Sequence, residues 1–582
     1  MIYDKKPKKE KKEEPKNKLK DYENNTFIDE LKAKIKIRDV LNKLGINTSK
    51  NPTECPFHSS KGGKCLGFKE ETAHCFHCDG SWNIFSLVMD AKKCDFKESL
   101  VVLSDWFGMQ KELEESKKKY RDNLRKKEFD EKKLIKLKYL ELLGGKIKRW
   151  DEASELLTKY ILSKIKIYST KDDLKSEMWI YNEGIYIPQG KSEIKKILRT
   201  ILEEYFSIFI YNKIIAKIEP DTFIDSDKFF KIEYKWEIPV KNGILNVKTL
   251  ELSPFTNKKI FFNKLPVKYD PDMTCPKIDK FLKDVLKDEE DIKVFYEIAG
   301  FGLIKEYIWE KAIMFVGGGR NGKGKSIELL KRLIGVKNCC SIPLSSLNPE
   351  SFSISELFGK FFNLAGDISN QDLKETSMFK ALTGRDLVCG KRKFQNNIYF
   401  QNYAKFVFGC NELPMVYDMS RGFWDRWILL DFPYTFVSES EYEKAEDKNL
   451  LKIRDPLIIE KISGSNELSG FLNSALFGLH SLLQNKDFSS TKGSEEIKSM
   501  WIRNSNSFIA FCYDYLEESD QDKIMKKDLR KKYAEYCKTH KIKSKSDYVI
   551  KRVLQDNYGV SEERFGGFNN MWNWYWVGVK WK

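Results

Sequence analysis

The segment 311–335, KAIMFVGGGRNGKGKSIELLKRLIG, limits what this chain can be more tightly than any other stretch. It reads as an apolar strand, a glycine-rich turn, and a helix with Ile327, Leu330 and Leu333 or Ile334 on one side. A phosphate-binding loop needs this context. Glycines let backbone N–H groups curl around phosphates, a lysine reaches the β and γ oxygens, and a hydroxyl holds Mg2+. Two registers fit. In one, Gly317, Gly322 and Lys323 form the loop directly after the strand, and Gly324 stands where Ser or Thr is expected. In the other, Gly319, Gly324, Lys325 and Ser326 complete the GxxxxGK[ST] pattern, with two extra glycines after the strand. Asn321 lies inside both. Either register predicts a nucleoside triphosphate site, with ATP and Mg2+ as cofactors.

The residues that follow supply the other parts such a site requires. FFNLAGDIS is an apolar run ending at Asp367, where a strand can deliver a carboxylate to Mg2+. KALTGRD and the basic stretch GKRKFQNNIYF come next, then the apolar strand KFVFGCNELP closing on Asn411. An amide at that strand end can position water, and Arg421 or Arg426 of SRGFWDRWILLDFP can stabilise transition-state charge on a neighbouring subunit's phosphate. The alternation of strands and helices over 311–436 is that of an α/β nucleotide-binding core.

A second chemical centre lies near the N-terminus. Cys55-x2-His58 and Cys75-x2-Cys78 are two ligand pairs, 16 residues apart, that can close a tetrahedron around Zn2+; Cys65, His74 and His77 compete for the same role.

Composition sets the frame. A net charge of +17 favours a polyanionic partner, because neutralised phosphates release condensed counterions. A hydrophobic fraction of 41% excludes wholesale disorder, and 582 residues leave room for roughly four domains. No apolar run is long enough to cross a bilayer, and the N-terminus lacks the apolar core of a signal peptide. The expectation is an intracellular, cytoplasmic protein without a membrane partner, whose 12 cysteines are thiols or metal ligands. Apolar residues recur at helical spacing over 27–44, a Lys/Glu-rich helix is expected over 111–148, and hairpins are expected to turn at 182–184 and 242–243. Helical spacing is expected again over 508–533, and a final hairpin around Asn569 and Asn570.

The order of strand, NGK loop, acid, K-x-LTG-x-D, basic stretch, CNELP and late arginine resembles the superfamily 3 helicases of phages, plasmids and large DNA viruses. That group includes the poxvirus type and the phage–plasmid primase–helicase family. IYNEGIYI, IPVKNGILNV, PVKYDPDMTCPKIDKFL and AGFGLI resemble the region before the motor, so the likeness covers about 400 residues. CPFH, CFHC and the preceding KIKIRDVLNKLG resemble the zinc finger of bacterial-type primases.

These resemblances imply a multidomain α/β protein. Its parts would be a disordered basic tail (1–26), a zinc-ribbon-like finger (27–108), a charged helical linker (109–150) and an α+β pre-helicase domain (151–303). An AAA+-like P-loop core (304–500) and a winged-helix-like DNA-binding domain (501–582) would follow. They imply Lys323 as the phosphate lysine, Asp367 as the metal-holding acid, Asn411 as sensor and Arg426 as the arginine finger, with Lys391, Arg392 and Lys393 at a hairpin gripping single-stranded DNA. The activity implied is ATP-dependent unwinding by a ring, a hexamer, on single-stranded or forked DNA, with other replication proteins as further partners. Two other functions fit the same parts: a bifunctional primase–helicase, and an NTP-regulated origin-binding protein without motor activity. Primer synthesis needs clustered carboxylates on two metals, and Asp225 and Asp227 are the one tight acidic pair outside the motor.

Overall fold

Strands buried on both faces have no reason to alternate, and the apolar runs of the central segment form one parallel sheet. In this computed structural model the strands are β1 (Ala312–Val316), β2 (Cys339–Cys340), β3 (Phe362–Ala365), β4 (Lys405–Cys410) and β5 (Trp427–Asp431), in the spatial order β2–β3–β4–β1–β5. The structure describes residues 26–59, 64–170, 177–366, 373, 375–393, 397–416, 418, 420–490, 492–505, 507–540, 544–566 and 572–582. All pairings in the sheet are parallel; Met314 of β1 lies between Phe408 of β4 and Leu429 of β5. The residues after β1, β3 and β4 are therefore brought to one edge, the C-terminal edge, where ligands of parallel sheets bind.

By contact density the chain forms two units, 1–157 with 197–211, and 158–196 with 212–582. In the second, a hydrophobic core runs without a break from Ile238 to Trp501. It is tightened by two helices, Glu289–Phe301 and Ser465–Asn485, that meet through glycine. A Cβ on Gly300 would lie 2.2 Å from the Ala475 carbonyl oxygen, and one on Gly478 would lie 2.5 Å from that of Tyr296. The fully buried Glu297 on this contact accepts hydrogen bonds from Ser481 Oγ (3.2 Å), Ser489 N (2.8 Å) and Ser489 Oγ (2.6 Å), so its charge is solvated by donors on the returning chain.

Before the core, Met178–Asn182 and Ile185–Ile187 form the expected hairpin, with Glu183 and Gly184 both at positive φ, as a two-residue type I′ turn demands. The second hairpin pairs Val240 with Gly243, so its turn is 241–242, one residue earlier than expected. Gly243 belongs to the strand because a Cβ there would meet the Ser253 carbonyl oxygen at 2.5 Å.

The N-terminal unit begins with two helices, Thr26–Lys34 and Ile37–Lys43, where the spacing over 27–44 predicts one. The break falls where Ile37 N donates to the Glu70 carbonyl (2.9 Å), a partner remote in sequence that periodicity does not register. Three short strands (Leu66–Phe68, Thr72–Cys75, Ser81–Asn83) carry the cysteine block, and helices Ile84–Lys92 and Phe96–Trp106 pack behind it. The charged run forms the helix Gln110–Gly144.

At the C-terminal end the order is helix Ser507–Tyr515, strand Leu516–Met525, helices Lys526–Thr539 and Asp547–Tyr558, and strands Ser561–Gly566 and Trp572–Trp581. The last strand lies between the other two. The helical spacing expected over 508–533 is corrected here: 516–525 is extended because it pairs with 575–581, and cross-strand bonding outweighs local periodicity. The turn expected at Asn569 and Asn570 lies outside the described residues. Among those described, no helix is long and apolar enough to cross a membrane.

Gly300→Ala and Gly478→Ala are each expected to destabilise the second unit by about 1–3 kcal/mol, since backbone atoms cannot yield to the added methyl. A lowered urea midpoint with unchanged slope is the measurement; an unchanged midpoint would contradict the close helix contact.

Candidate nucleotide and metal sites

The turn after β1 is shaped by two glycines. Gly317 has no room for a side chain, since a Cβ would lie 2.2 Å from Asn321 Nδ2 and 2.5 Å from the Phe432 carbonyl oxygen. Gly322, at φ 92°, would drive a Cβ to 2.5 Å from Val285 Cγ1. Gly319 and Gly324 face open space. The steric demand for glycine thus falls on the pair five residues apart that precedes Lys323. Asn321, 4% exposed, donates to the Phe432 carbonyl (3.3 Å) and ties the loop to the chain leaving β5.

Lys323 opens the helix Lys323–Ile334 and is 6% exposed. Its Nζ donates to the carbonyls of Gly317 (2.6 Å) and Gly318 (3.2 Å), to Asn321 Oδ1 (3.0 Å) and to Asn411 Oδ1 (3.2 Å). Each of these four acceptors is an uncharged oxygen that a phosphate oxygen can displace. Lys325 is exposed on the same helix, and Ser326 is fully buried with an Oγ that finds no partner among the described residues. The loop, Gly366 after β3 and Asn411 after β4 share a cleft of about 660 Å³, continued by Ile459 and Glu460. The last two carried no motif and could not be read from the sequence. Asp367 lies outside the described residues; its neighbour Gly366 is at the cleft.

Arg426 immediately precedes β5. Its guanidinium donates to Thr383 Oγ1 (2.9 Å) and the Gly422 carbonyl and pairs with Glu310 (2.5 Å). Arg421 is largely exposed, with Asp425 at 3.2 Å. Lys391, Arg392 and Lys393 follow the strand Leu387–Gly390, which pairs antiparallel with Ile398–Gln401. Lys391 meets Glu350 (2.5 Å), and Arg392 and Lys393 lie over Phe358 and Phe352 at 5.8 and 5.9 Å. Asp225 caps a short helix through Asp227 N (3.0 Å) and so has a local structural role.

In the N-terminal unit the ligand atoms of Cys55, His58, Cys75 and Cys78 all lie within 4.8 Å of one another. Four donors around one Zn2+, with Zn–S near 2.3 Å, stand about 3.7 Å apart, so the cluster fits the ion with small contraction. Its electrostatics also fit. Burial, followed by the neighbouring Cys75 and Cys78, pushes the Cys55 thiol up to about 12. Burial opposes the Cys75 thiolate too, but N–H groups of Cys78 and His77 and the His58 ring (3.2 Å) outweigh it and bring that thiol down to about 6. Crowded sulfur charge of this kind is relieved by a divalent cation. Cys65, His74 and His77 are not in the cluster.

Three family models match the chain in series. The CHC2 zinc finger covers residues 23–119, the "D5 N terminal like" family covers 126–287, and a family of unknown function (DUF5906) covers 315–426. These matches support a protein of the primase–helicase type. A protein of Acanthamoeba polyphaga mimivirus named "Putative helicase L207/L206" is 27% identical over 191 residues, 31% of this chain. The chain spans only 19% of that relative's length. Among solved structures, the apo C-terminal region of NrS-1 is similar at 15% identity and a TM-score of 0.39, over 72% of this chain and 98% of that one. JCV helicase is similar at 17% identity and a TM-score of 0.17, over 36% and 60%.

The zinc finger yields a direct test. Cys75→Ser, or a strong chelator, is expected to remove a single bound Zn2+ per chain and make 53–83 sensitive to protease, because a domain this small folds on its metal. Metal analysis and limited proteolysis read both effects; full protection without zinc would refute the structural role.

Proposed function

We propose that this chain is an ATP-dependent DNA helicase of replication, acting on single-stranded DNA as a ring of identical subunits. The observation that carries the reading is the buried Lys323 ammonium, which reaches back to the carbonyls of its own glycine loop and across to Asn411 at the C-terminal edge of a parallel sheet. Bound ATP supplies the phosphoanhydride, and Mg2+ neutralises its charge. Lys323 exchanges its loop carbonyls for phosphate oxygens, the backbone N–H groups at the start of its helix bind the same anion, and Asn411 orients water beside Lys323. Asp367 is the metal-holding acid by its place after β3, and the unpartnered buried Ser326 Oγ fits a polar role close to the loop. The strand order, with the glycine loop after β1, supports the reading of an AAA+-like core, and the C-terminal order of helix, strand, two helices and two strands supports that of a winged helix. The domain boundaries expected from the sequence are kept as part of this proposal.

Lys391, Arg392 and Lys393 extend beyond a strand pair and form the DNA-gripping hairpin. Arg426 acts in a neighbouring subunit's site, for which it must leave Glu310; the exposed Arg421 is the competing residue. Hydrolysis that alters the cleft then moves the hairpin, since its second strand, Ile398–Gln401, runs within four residues into β4, which carries Asn411 at its end.

Lys323→Ala is expected to lower DNA-stimulated ATP hydrolysis by about a thousandfold, as loss of transition-state charge stabilisation does. Lys325→Ala should leave most of it. The reverse pattern would assign the loop to the other register. Arg426→Ala should be as inactive as Lys323→Ala, and mixing the two proteins should restore part of the activity, because some interfaces then combine an intact lysine with an intact arginine. No restoration on mixing, or loss with Arg421→Ala instead, would remove Arg426 from the shared site. Strand displacement on forks separates a motor from an NTP-regulated origin-binding protein, and extension of labelled nucleotides on single-stranded template tests a bifunctional primase–helicase.

A further inference from the structure

The sheet at the C-terminal end has one face that begins in a core and continues past it into solvent. Trp572, Trp574 and Trp576 alternate along the last strand and so share a face, opposite Gly566, Arg564 and Glu562 of the neighbouring strand. Trp576, 4% exposed, belongs to the local core with Ile524. Two residues away, Trp574 is 48% exposed, and Trp572, the first residue of the strand, is 57% exposed. Large indoles left in water on a sheet face are unusual, since burying one removes far more apolar area than most side chains offer.

The charges on this face are cationic in balance. Lys526 Nζ lies 4.3 Å from the Trp576 ring and 5.4 Å from that of Trp574, and Arg564 Cζ lies 5.7 Å from that of Trp572. Lys551, on the helix Asp547–Tyr558, reaches the same face through Glu562 (2.9 Å). Glu562 is the carboxylate between Lys526 and Lys551, and Arg564 adds a third cation farther along the same face. Glu563 points to the opposite side of the strand. The apolar surface is therefore framed by charges that suit a polyanion carrying flat apolar groups.

Spacing narrows the class of ligand. Side chains two apart on a strand stand about 6.6–6.8 Å from each other, roughly twice the 3.4 Å thickness of a stacked base. One unpaired base fits between Trp572 and Trp574, or stacks on either against the Arg564 guanidinium. Bases inside a duplex have their faces covered by their neighbours and cannot use such a site. Trp572 lies over Gly566, where a Cβ would already be 3.5 Å from its Cε2, so the ring is supported beneath by bare backbone.

We propose that Trp572 and Trp574, with Arg564, form a stacking site for unpaired bases of a single nucleic-acid strand. This deepens the reading of the C-terminal end as a DNA-binding unit and rests on it. The site would hold a separated strand by its bases, in addition to phosphate contacts elsewhere.

The test uses the full chain and a 12-mer oligodeoxythymidine carrying 5-iododeoxyuridine, photocrosslinked without nucleotide, alongside anisotropy with a fluorescein-labelled 12-mer and with a blunt duplex of equal length. Crosslinks are expected at Trp572 or Trp574. Trp572→Ala combined with Trp574→Ala should lose them and weaken single-strand binding by about five- to hundredfold, with little effect on the duplex. The corresponding pair of Phe substitutions should keep most of the affinity. Crosslinks confined to other regions, or unchanged affinity in the Ala pair, would overturn the proposal and leave the indoles as a protein-docking face. An equal loss on the duplex would overturn the unpaired-strand assignment. A melting midpoint within a degree or two of the parent shows that the Ala pair is folded. Basal ATP hydrolysis does not involve these residues. If Lys323→Ala retained hydrolysis while the crosslinks persisted, the motor reading would fail and this one would stand.

Discussion

A buried ammonium at the C-terminal edge of a parallel sheet organises the centre of this protein. Lys323 is 6% exposed, and oxygens converge on its Nζ from two places: the loop, with Gly317, Gly318 and Asn321, and Asn411 at the end of the neighbouring strand. That convergence requires the loop to turn tightly, which accounts for the two positions, Gly317 and Gly322, where any Cβ collides. It also requires β4 to lie beside β1, so that Asn411 arrives from a segment 88 residues away. The parallel sheet provides this adjacency, and the unbroken apolar character of β1 and β4 provides the sheet.

The same economy governs the surroundings. The helix contact at Gly300 and Gly478 joins chain before the loop to chain after β5, so the core around the cleft is closed from both sides. Glu297 and Lys405 are fully buried polar side chains within that core, each held by hydrogen bonds: Glu297 by serines, Lys405 by the carbonyls of Ile304 (2.5 Å), Glu306 (3.0 Å) and Tyr403 (2.8 Å). Burial drives the Lys405 pKa far down, against the smaller opposing pull of Glu306, and the Phe301 ring lies 4.7 Å from its Nζ. Buried polar groups of this kind specify one packing and penalise others.

In the N-terminal unit a metal cluster takes the part that apolar area plays elsewhere. The three strands there are only three or four residues long and could not hold a sheet by themselves. Cys55 and Cys75 enter the hydrophobic cluster of that unit, so the ligand set and the core share atoms, and loss of one ligand loosens both.

The sequence alone determined the features that depend on residue type at short range. These were the glycine loop between an apolar strand and a helix, the four zinc ligands at paired spacing, the Glu183–Gly184 turn, and the order of segments that resembles the primase–helicases. Each rests on local stereochemistry or on ligand chemistry that a spacing can carry. Only the tertiary structure decided which glycines are sterically required, since the obstacles are Val285, Asn321 and the Phe432 carbonyl. It also broke the helix expected over 27–44 and turned 516–525 from helix to strand, because the partners, the Glu70 carbonyl and the strand Trp572–Trp581, are distant in sequence. Arg426 and Arg421 look alike in SRGFWDRW, yet one is held by Glu310 and Thr383 and the other is in solvent. Burial and long-range pairing set these outcomes, and neither is a property of a residue and its near neighbours.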